Sequence, residues 1–187
     1  MLKKEIIKKI MAAIDKEDYL IIVGKTVCDE VYQYDANNIY YIEEYYGISF
    51  AIGVAATLDK NKRVFVVFDE PVIINDMSSI FQVYDSNSSN LFLIFLYSSE
   101  GIFSRMSNAQ GIFFNIGLQS FKVVNTDKDV SISLIKSTFA LHPGPKIFMF
   151  KTTQNKKVSQ PSSTTIDVLL CRDRFNYLLN KSSGDVN

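Results

Sequence analysis

This sequence has few of the residues that bind transition metals or form disulfides. Its 187 residues include two cysteines, Cys28 and Cys171, and one histidine, His142. These three side chains cannot complete a structural zinc site of four Cys or His ligands, and two distant cysteines exclude a disulfide framework. A single histidine also argues against a Ser-His-Asp hydrolase.

Glycine is scarce as well, which excludes two common nucleotide-binding motifs. The eight glycines form neither a G-x-G-x-x-G nor a G-x-x-x-x-G-K-[ST] pattern. The sequence therefore has no Rossmann fingerprint and no Walker phosphate loop.

Neither sign of charge is in excess, and no apolar run is long. Twenty basic residues balance twenty acidic ones, which argues against a general nucleic-acid or polybasic membrane-surface protein. The longest apolar run, 91–97, is far below the roughly 20 residues that span a bilayer. The first residues mix lysines with apolar side chains, unlike a secretory signal. We therefore expect a cytoplasmic protein that binds neither nucleic acid nor membranes.

Apolar segments of strand type alternate with segments of helical periodicity. Strands are predicted at 19–23, 39–42, 63–68, 91–96, 121–124 and 146–150. Helices are predicted at 2–16, 26–34, 47–58, 73–84, 108–117 and 127–141. This alternation predicts an α/β fold in three layers, a doubly wound and mostly parallel sheet with helices on both faces.

The domain is predicted to occupy residues 1–151. Residues 152–165 are polar and predict an extended linker. Residues 166–179 return to helical spacing and predict a C-terminal helix. We expect the segment 152–187 to pack on the same domain.

Polar residues follow several of the predicted strands, where ligands bind in parallel α/β sheets. Asp69-Glu70 either forms part of a metal site or is a solvated acidic turn that caps the next helix. Lys25-Thr26 either meets an acidic ligand or begins a helix with Thr26 as the N-cap. Tyrosines around Glu43-Glu44 favour a protein interface over ligand stacking. The two cysteines are interpreted as buried or incidental thiols.

Five segments occur in an order that one enzyme family shares. They are the N-terminal helix with 20–24 and 30–32, 40–47 with the small-residue helix after it, 62–67, 144–147, and the tail with Pro161 and 172–175. In this order the chain resembles the diphosphate-binding module of thiamine-diphosphate enzymes, most closely the beta subunit of sulfopyruvate and phosphonopyruvate decarboxylases. A flavodoxin-like domain fits the strand pattern but not this order.

The resemblance implies a thiamine-diphosphate-binding fold, with thiamine diphosphate and Mg²⁺ as cofactors. Glu70 falls at the metal-binding Asp of the family's G-D-G motif and Ser98 at its second ligand, with Asp69 as a further candidate. The candidate cofactor-binding residues are Glu44, Tyr45, Gly47, Asp69, Glu70, Ser98 and Ser99.

Several of these positions depart from the family's pattern. Both glycines of G-D-G are missing, and Pro71 removes a backbone N–H. Glu44 and Tyr45 stand where the family has small residues.

The function implied is half of a split thiamine-diphosphate-dependent 2-oxo acid decarboxylase, a lyase. Its pyrimidine-binding partner subunit would carry the catalytic residues, and the assembly would be a homo- or hetero-oligomer. The alternative is a degenerate, non-catalytic module that serves as a scaffold or regulatory partner or binds a different ligand.

Overall fold

The computed structural model describes residues 2–32, 34, 37–98, 100–105, 109–123, 130–140, 144–153 and 168–183. The strands are β1 (Tyr19–Val23), β2 (Ile39–Ile42), β3 (Val64–Asp69), β4 (Leu91–Ser98), β5 (Gln119–Val123) and β6 (Lys146–Thr152). The helices are α1 (Lys3–Ala13), α2 (Lys25–Val31), α3 (Gly47–Thr57), α4 (Glu70–Asn75), α5 (Met77–Ser86), α6 (Ile102–Arg105), α7 (Ala109–Asn115), α8 (Ile132–Ala140) and α9 (Val168–Ser183).

The strands form one six-stranded sheet in the order β2-β1-β3-β4-β6-β5, and each pairs in parallel with its neighbours. The register aligns Ile21 of β1 with Val66 of β3, and Val66 with Leu93 of β4. The central strands are buried along their whole length because helices cover both faces. The predicted three-layer α/β fold is confirmed, and the sheet is wholly parallel.

Strand side chains alternate between two separate apolar layers. On β3, Val64, Val66 and Phe68 pack on the side of α3, α4, α5, α7 and α9, which we call the α3 face. Phe65 and Val67 point to the side of α1, α2 and α8, which we call the α1 face.

The predicted helix 73–84 is instead two helices, α4 and α5, which meet at Asp76. Asp76 has non-helical backbone angles, and its carboxylate accepts a hydrogen bond from the backbone N–H of Ser79 at 3.3 Å. An N-cap of this kind satisfies a free N–H group at the start of α5. Capping by a short polar side chain therefore overrides the apolar periodicity that runs through this segment.

Other predicted bounds shift by a few residues. Helix α2 ends at Val31 rather than at 34, and α8 begins at Ile132 rather than at 127. Strand β6 extends to Thr152, whose hydroxyl donates to the carbonyl of Tyr97 on β4 at 3.1 Å. The predicted linker falls mostly outside the described residues.

Helix α9 packs on the α3 face through Phe175. This ring is fully buried, with centroids 5.3 Å from Tyr19 and 5.0 Å from Tyr40. It thereby connects the C-terminal helix to β1 and β2. None of the described helices is long and apolar enough to cross a membrane.

Replacing Phe175 by alanine should lower the free energy of unfolding by about 3–5 kcal/mol, because a buried ring is lost and leaves a cavity. Urea unfolding of the full chain measures this change. Tyr177→Ala, at a ring 67% exposed on the same helix, is the matched control and should change stability by less than about 0.5 kcal/mol. Equal effects of the two substitutions would contradict the position of α9.

Candidate functional site

The sequence-predicted site lies at one edge of the sheet, which we call the carboxyl edge. It comprises residues 24–26 after β1, 69–71 after β3, and Ser98 with residues 100–102 after β4. Strands β1 and β3 are neighbours, yet α2 leaves β1 on the α1 face while α4 leaves β3 on the α3 face. A divergence of this kind is the topological switch point at which α/β sheets bind ligands.

Asp69 is the last residue of β3 and is almost fully buried. Its Oδ2 accepts hydrogen bonds from Lys3 Nζ and from the Thr26 hydroxyl, both at 2.6 Å. Its Oδ1 is buried without a hydrogen-bond partner among the described residues. The expectation of a solvated acidic turn is therefore wrong for Asp69. The alternation of β3 turns its side chain towards the α1 face, between the first turns of α1 and α2.

Of the two expectations for Lys25-Thr26, the structure tests the helix start. The N-cap of α2 is Gly24 rather than Thr26. Thr26 lies in the first turn and gives its hydroxyl hydrogen to Asp69. Lys25 points elsewhere, with Nζ 3.5 Å from Asp29 Oδ1 and 3.7 Å from Glu43 Oε2. Asp29 and then Glu43 raise the pKa of Lys25.

Glu70 begins α4 and turns its side chain towards β4. Its Oε1 accepts the backbone N–H of Ser98 at 3.0 Å, and its Oε2 accepts that of Ile102 at 3.2 Å. The Ser98 hydroxyl oxygen accepts the backbone N–H of Glu100 at 3.1 Å. The structure thus brings Glu70 and Ser98 together, but through a carboxylate and a backbone N–H. Their side chains do not converge on a common point.

The other predicted residues lie apart from this contact. Gly47 begins α3 and is buried so closely that an added Cβ would lie 2.5 Å from Val23 Cγ2. Glu44 and Tyr45 are exposed between β2 and α3. Among the described residues, no hydrogen bond joins either of them to Asp69 or Glu70. Ser99 lies outside the described residues.

These placements do not fit a diphosphate held by Mg²⁺. Mg²⁺ requires several oxygen ligands in near-octahedral geometry. Asp69 and Glu70 point to opposite sides of β3, and both Glu70 oxygens already accept backbone N–H groups. The described part of the chain has no group of three or more His, Cys, Asp or Glu side chains that could hold a metal ion. Pro71 also offers no N–H to a phosphate.

Sequence reasoning missed two residues of the carboxyl edge. Lys3 lies in a helix with a regular apolar pattern, and nothing in that pattern indicates a partner 66 residues away. Gly101 lies against the Glu70 carboxylate. A glycine in a polar stretch just after a strand was the one available signal for such a close approach.

A second polar cluster surrounds Cys28 on α2. The Cys28 thiol is buried and donates to the carbonyls of Ile22 and Ile42, each at 3.6 Å. Burial raises the pKa of Cys28 from its ordinary 9.0 to about 12. The nearby Tyr32 hydroxyl donates to Glu43, and burial followed by this hydrogen bond raises the pKa of Tyr32. The cluster supplies no nucleophile at neutral pH, since a thiol reacts as its thiolate.

We expect Cys28 to resist alkylation at about pH 8 in the folded chain and to react fully in denaturant. A Cys171→Ser background leaves Cys28 as the one thiol, and mass spectrometry measures the label. Above pH 9.0 the unfolded chain loses a thiol proton that the folded chain retains until about pH 12. Stability should therefore fall as the pH rises through this window, and less steeply in Cys28→Ala. Rapid labelling of the folded chain would contradict the burial.

Comparisons with known proteins support the fold and nothing finer. No protein-family model matches the sequence, and no curated protein matches it. A solved structure from Mycobacterium smegmatis, assigned to the thiamin diphosphate-dependent enzymes, is similar with a TM-score of 0.63 and 11% identity, over 83% of this chain and 32% of that one. Benzoylformate decarboxylase from Polynucleobacter necessarius is similar with a TM-score of 0.57 and 11% identity, over 82% of this chain and 33% of that one.

This chain therefore spans about a third of the length of these two structures. At 11% identity the likeness shows a shared fold only. The specific resemblance to a decarboxylase beta subunit stays a prediction. The chain has the fold found in one part of thiamine-diphosphate-dependent enzymes.

Proposed function

We propose that this chain is a non-catalytic module with the fold of thiamine-diphosphate enzymes, and that it acts as a structural subunit of an oligomer. The observation that carries the proposal is a surface on the α3 face that is rich in exposed aromatic rings and poor in charge. The carboxyl edge supports it, because its acidic side chains bind groups of the chain itself instead of converging on a cofactor.

Four large apolar side chains are exposed on α4, α5 and α7. They are Ile74, Phe81, Tyr84 and Phe114, which we call the aromatic surface. Each of these side chains is more than half exposed, and Phe114 is 79% exposed. Large apolar side chains grouped in this way are typical of protein interaction sites.

Contacts between helices make the surface continuous. The hydroxyl groups of Ser49 on α3 and Ser79 on α5 form a hydrogen bond of 2.7 Å. The Tyr84 ring packs closely against Gly117, just after α7. Helix α5, which carries Phe81 and Tyr84, therefore contacts α3 and the segment just after α7.

The helices that carry the aromatic surface have little charge. Helices α4, α5 and α7 carry two charged residues, Glu70 and Asp85, and the neighbouring α3 carries none. Elsewhere on the same face, α9 carries Arg172, Asp173, Arg174 and Lys181. Charged residues are depleted at the cores of interfaces. The scarcity of charge therefore favours the aromatic surface, rather than the whole face, as the part that is covered.

The occupant that we propose is a second copy of this chain. A twofold interface places one surface against itself, so it must be self-complementary. A surface of aromatic rings and hydroxyl groups meets this condition, because it presents no cluster of like charges that a second copy would repel. A partner recognised by charge would need basic or acidic residues that these helices lack.

Light scattering coupled to gel filtration should give a mass twice that of the 21.2 kDa chain. The double variant Phe81→Glu/Phe114→Glu should elute as a monomer, because burying two carboxylates at an interface costs several kcal/mol. Ile132→Glu, at an exposed apolar residue of α8 on the opposite face, is the control and should remain a dimer. A monomeric wild-type chain would contradict the second copy as the occupant.

A second candidate function is half of a split thiamine-diphosphate-dependent 2-oxo acid decarboxylase. The observation that favours it is the fold shared with benzoylformate decarboxylase, together with two carboxylates at the carboxyl edge. A pyrimidine-domain subunit would then be the partner and would supply the catalytic residues. For Glu70 to bind Mg²⁺, its carboxylate would have to use the lone pairs that the N–H groups of Ser98 and Ile102 leave free.

Calorimetry separates the two functions. Thiamine diphosphate with Mg²⁺, titrated into the wild-type chain alone and together with a pyrimidine-domain subunit, should give no binding heat under the first proposal. Micromolar binding that requires Mg²⁺ and is abolished by Glu70→Ala would contradict that proposal and support the split decarboxylase.

A further inference from the structure

The Glu70 carboxylate binds the chain in the way that a small anion would. One oxygen accepts the N–H of Ser98 at 3.0 Å and the other accepts that of Ile102 at 3.2 Å. The two donors belong to different parts of one connection, yet they converge on a single carboxylate. Charge-assisted hydrogen bonds of this kind are stronger than those between neutral groups.

Gly101 provides the space for this carboxylate. A Cβ added at Gly101 would overlap both carboxylate oxygens of Glu70. The backbone of Gly101 does not have the positive φ that favours glycine, so the close approach is what excludes a side chain there. The connection after β4 therefore forms a cradle that Glu70 fills.

No cation neutralises Glu70 in the described part of the chain. Lys3, at the same edge, pairs with Asp69 instead. Within the described ranges, the negative charge of Glu70 is met by the two N–H dipoles that it accepts. A second anion at this position would find both N–H groups already bound to Glu70, and the Glu70 carboxylate would repel it.

We propose that Glu70 is a resident anion, a carboxylate of the chain itself that occupies the N–H groups of Ser98 and Ile102 and thereby excludes phosphate-bearing ligands from the carboxyl edge. Removal of this carboxylate opens the cradle to a small oxyanion. The inference rests on the proposed function in one respect, that the wild-type edge binds no diphosphate.

This inference and the split-decarboxylase function predict opposite effects of one substitution. If Glu70 is a metal ligand, Glu70→Ala loses affinity for a diphosphate. If Glu70 is a resident anion, Glu70→Ala gains it, because two N–H donors are freed and a like charge is removed. A like charge at about 4 Å weakens the binding of an anion by roughly tenfold or more.

The test is a titration with inorganic diphosphate in the absence and in the presence of Mg²⁺, followed through the backbone amide signals of Ser98 and Ile102. The two roles of Glu70 predict opposite effects in the presence of Mg²⁺, where removing a metal ligand would weaken binding. Glu70→Ala should bind about tenfold or more tightly than the wild type, with shifts concentrated at these two amides. Glu100→Ala removes an exposed carboxylate from the same connection without freeing either N–H, so it should behave as the wild type.

Glu70→Gln removes the charge, and its amide has one acceptor oxygen instead of two, so one of the two N–H groups loses its acceptor. Should Glu70→Ala fail to fold, Glu70→Gln should still show a gain over the wild type. A folded Glu70 variant that binds no more tightly than Glu100→Ala would overturn the resident anion and leave the proposed function intact. Wild-type binding as tight as that of Glu70→Ala would overturn the inference and also the proposal that the wild-type carboxyl edge binds no diphosphate. A monomeric wild-type chain, by contrast, would overturn only the second copy as the occupant of the aromatic surface.

Discussion

The carboxyl end of β3 constrains the rest of this edge, because two adjacent carboxylates leave it in opposite directions. Asp69 is buried towards the α1 face, where Lys3 and Thr26 bind one of its oxygens. Burying a charge costs several kcal/mol, and a close ion pair offsets that cost only when its geometry is good. The main effect of the Lys3–Asp69 pair is therefore to position α1, because it holds the first turn of that helix beside the switch point between β1 and β3. Glu70, one residue later, holds the connection after β4 to the start of α4.

The proposed function separates the fold from the cofactor. The sheet order and both apolar layers form a doubly wound domain like those of the thiamine-diphosphate enzymes to which it is similar. At the edge where such folds bind ligands, Asp69 Oδ2 and both oxygens of Glu70 accept hydrogen bonds from the chain itself, while Asp69 Oδ1 is buried without a partner among the described residues. The aromatic surface on α4, α5 and α7 presents exposed apolar rings and little charge. A domain with this distribution of charge and apolar surface is better suited to binding protein than to holding a charged cofactor.

The sequence predicted the fold because its apolar strands alternate regularly with helices, and that alternation depends on neighbours along the chain. Periodicity could not show that Asp76 interrupts a helix, because the polar cap competes with an apolar pattern that continues through it. The predicted strand ends indicated that Glu70 and Ser98 lie at the same edge of the sheet. They could not show in which direction either side chain points. The contacts of Asp69 with Lys3 and Thr26 join residues 66 and 43 positions apart, and only the packed structure specifies them.

The most direct test of this account is a double-mutant cycle between Glu70 and Gly101, measured by urea unfolding. Gly101→Ala should destabilise the wild-type chain, because its methyl group would overlap the Glu70 carboxylate. In a Glu70→Ala background the same substitution should be close to neutral, which gives a coupling free energy of about 0.5–3 kcal/mol, the range for residues in contact. An equal cost of Gly101→Ala in both backgrounds would show that the carboxylate does not lie in this cradle, and would contradict the account of the carboxyl edge.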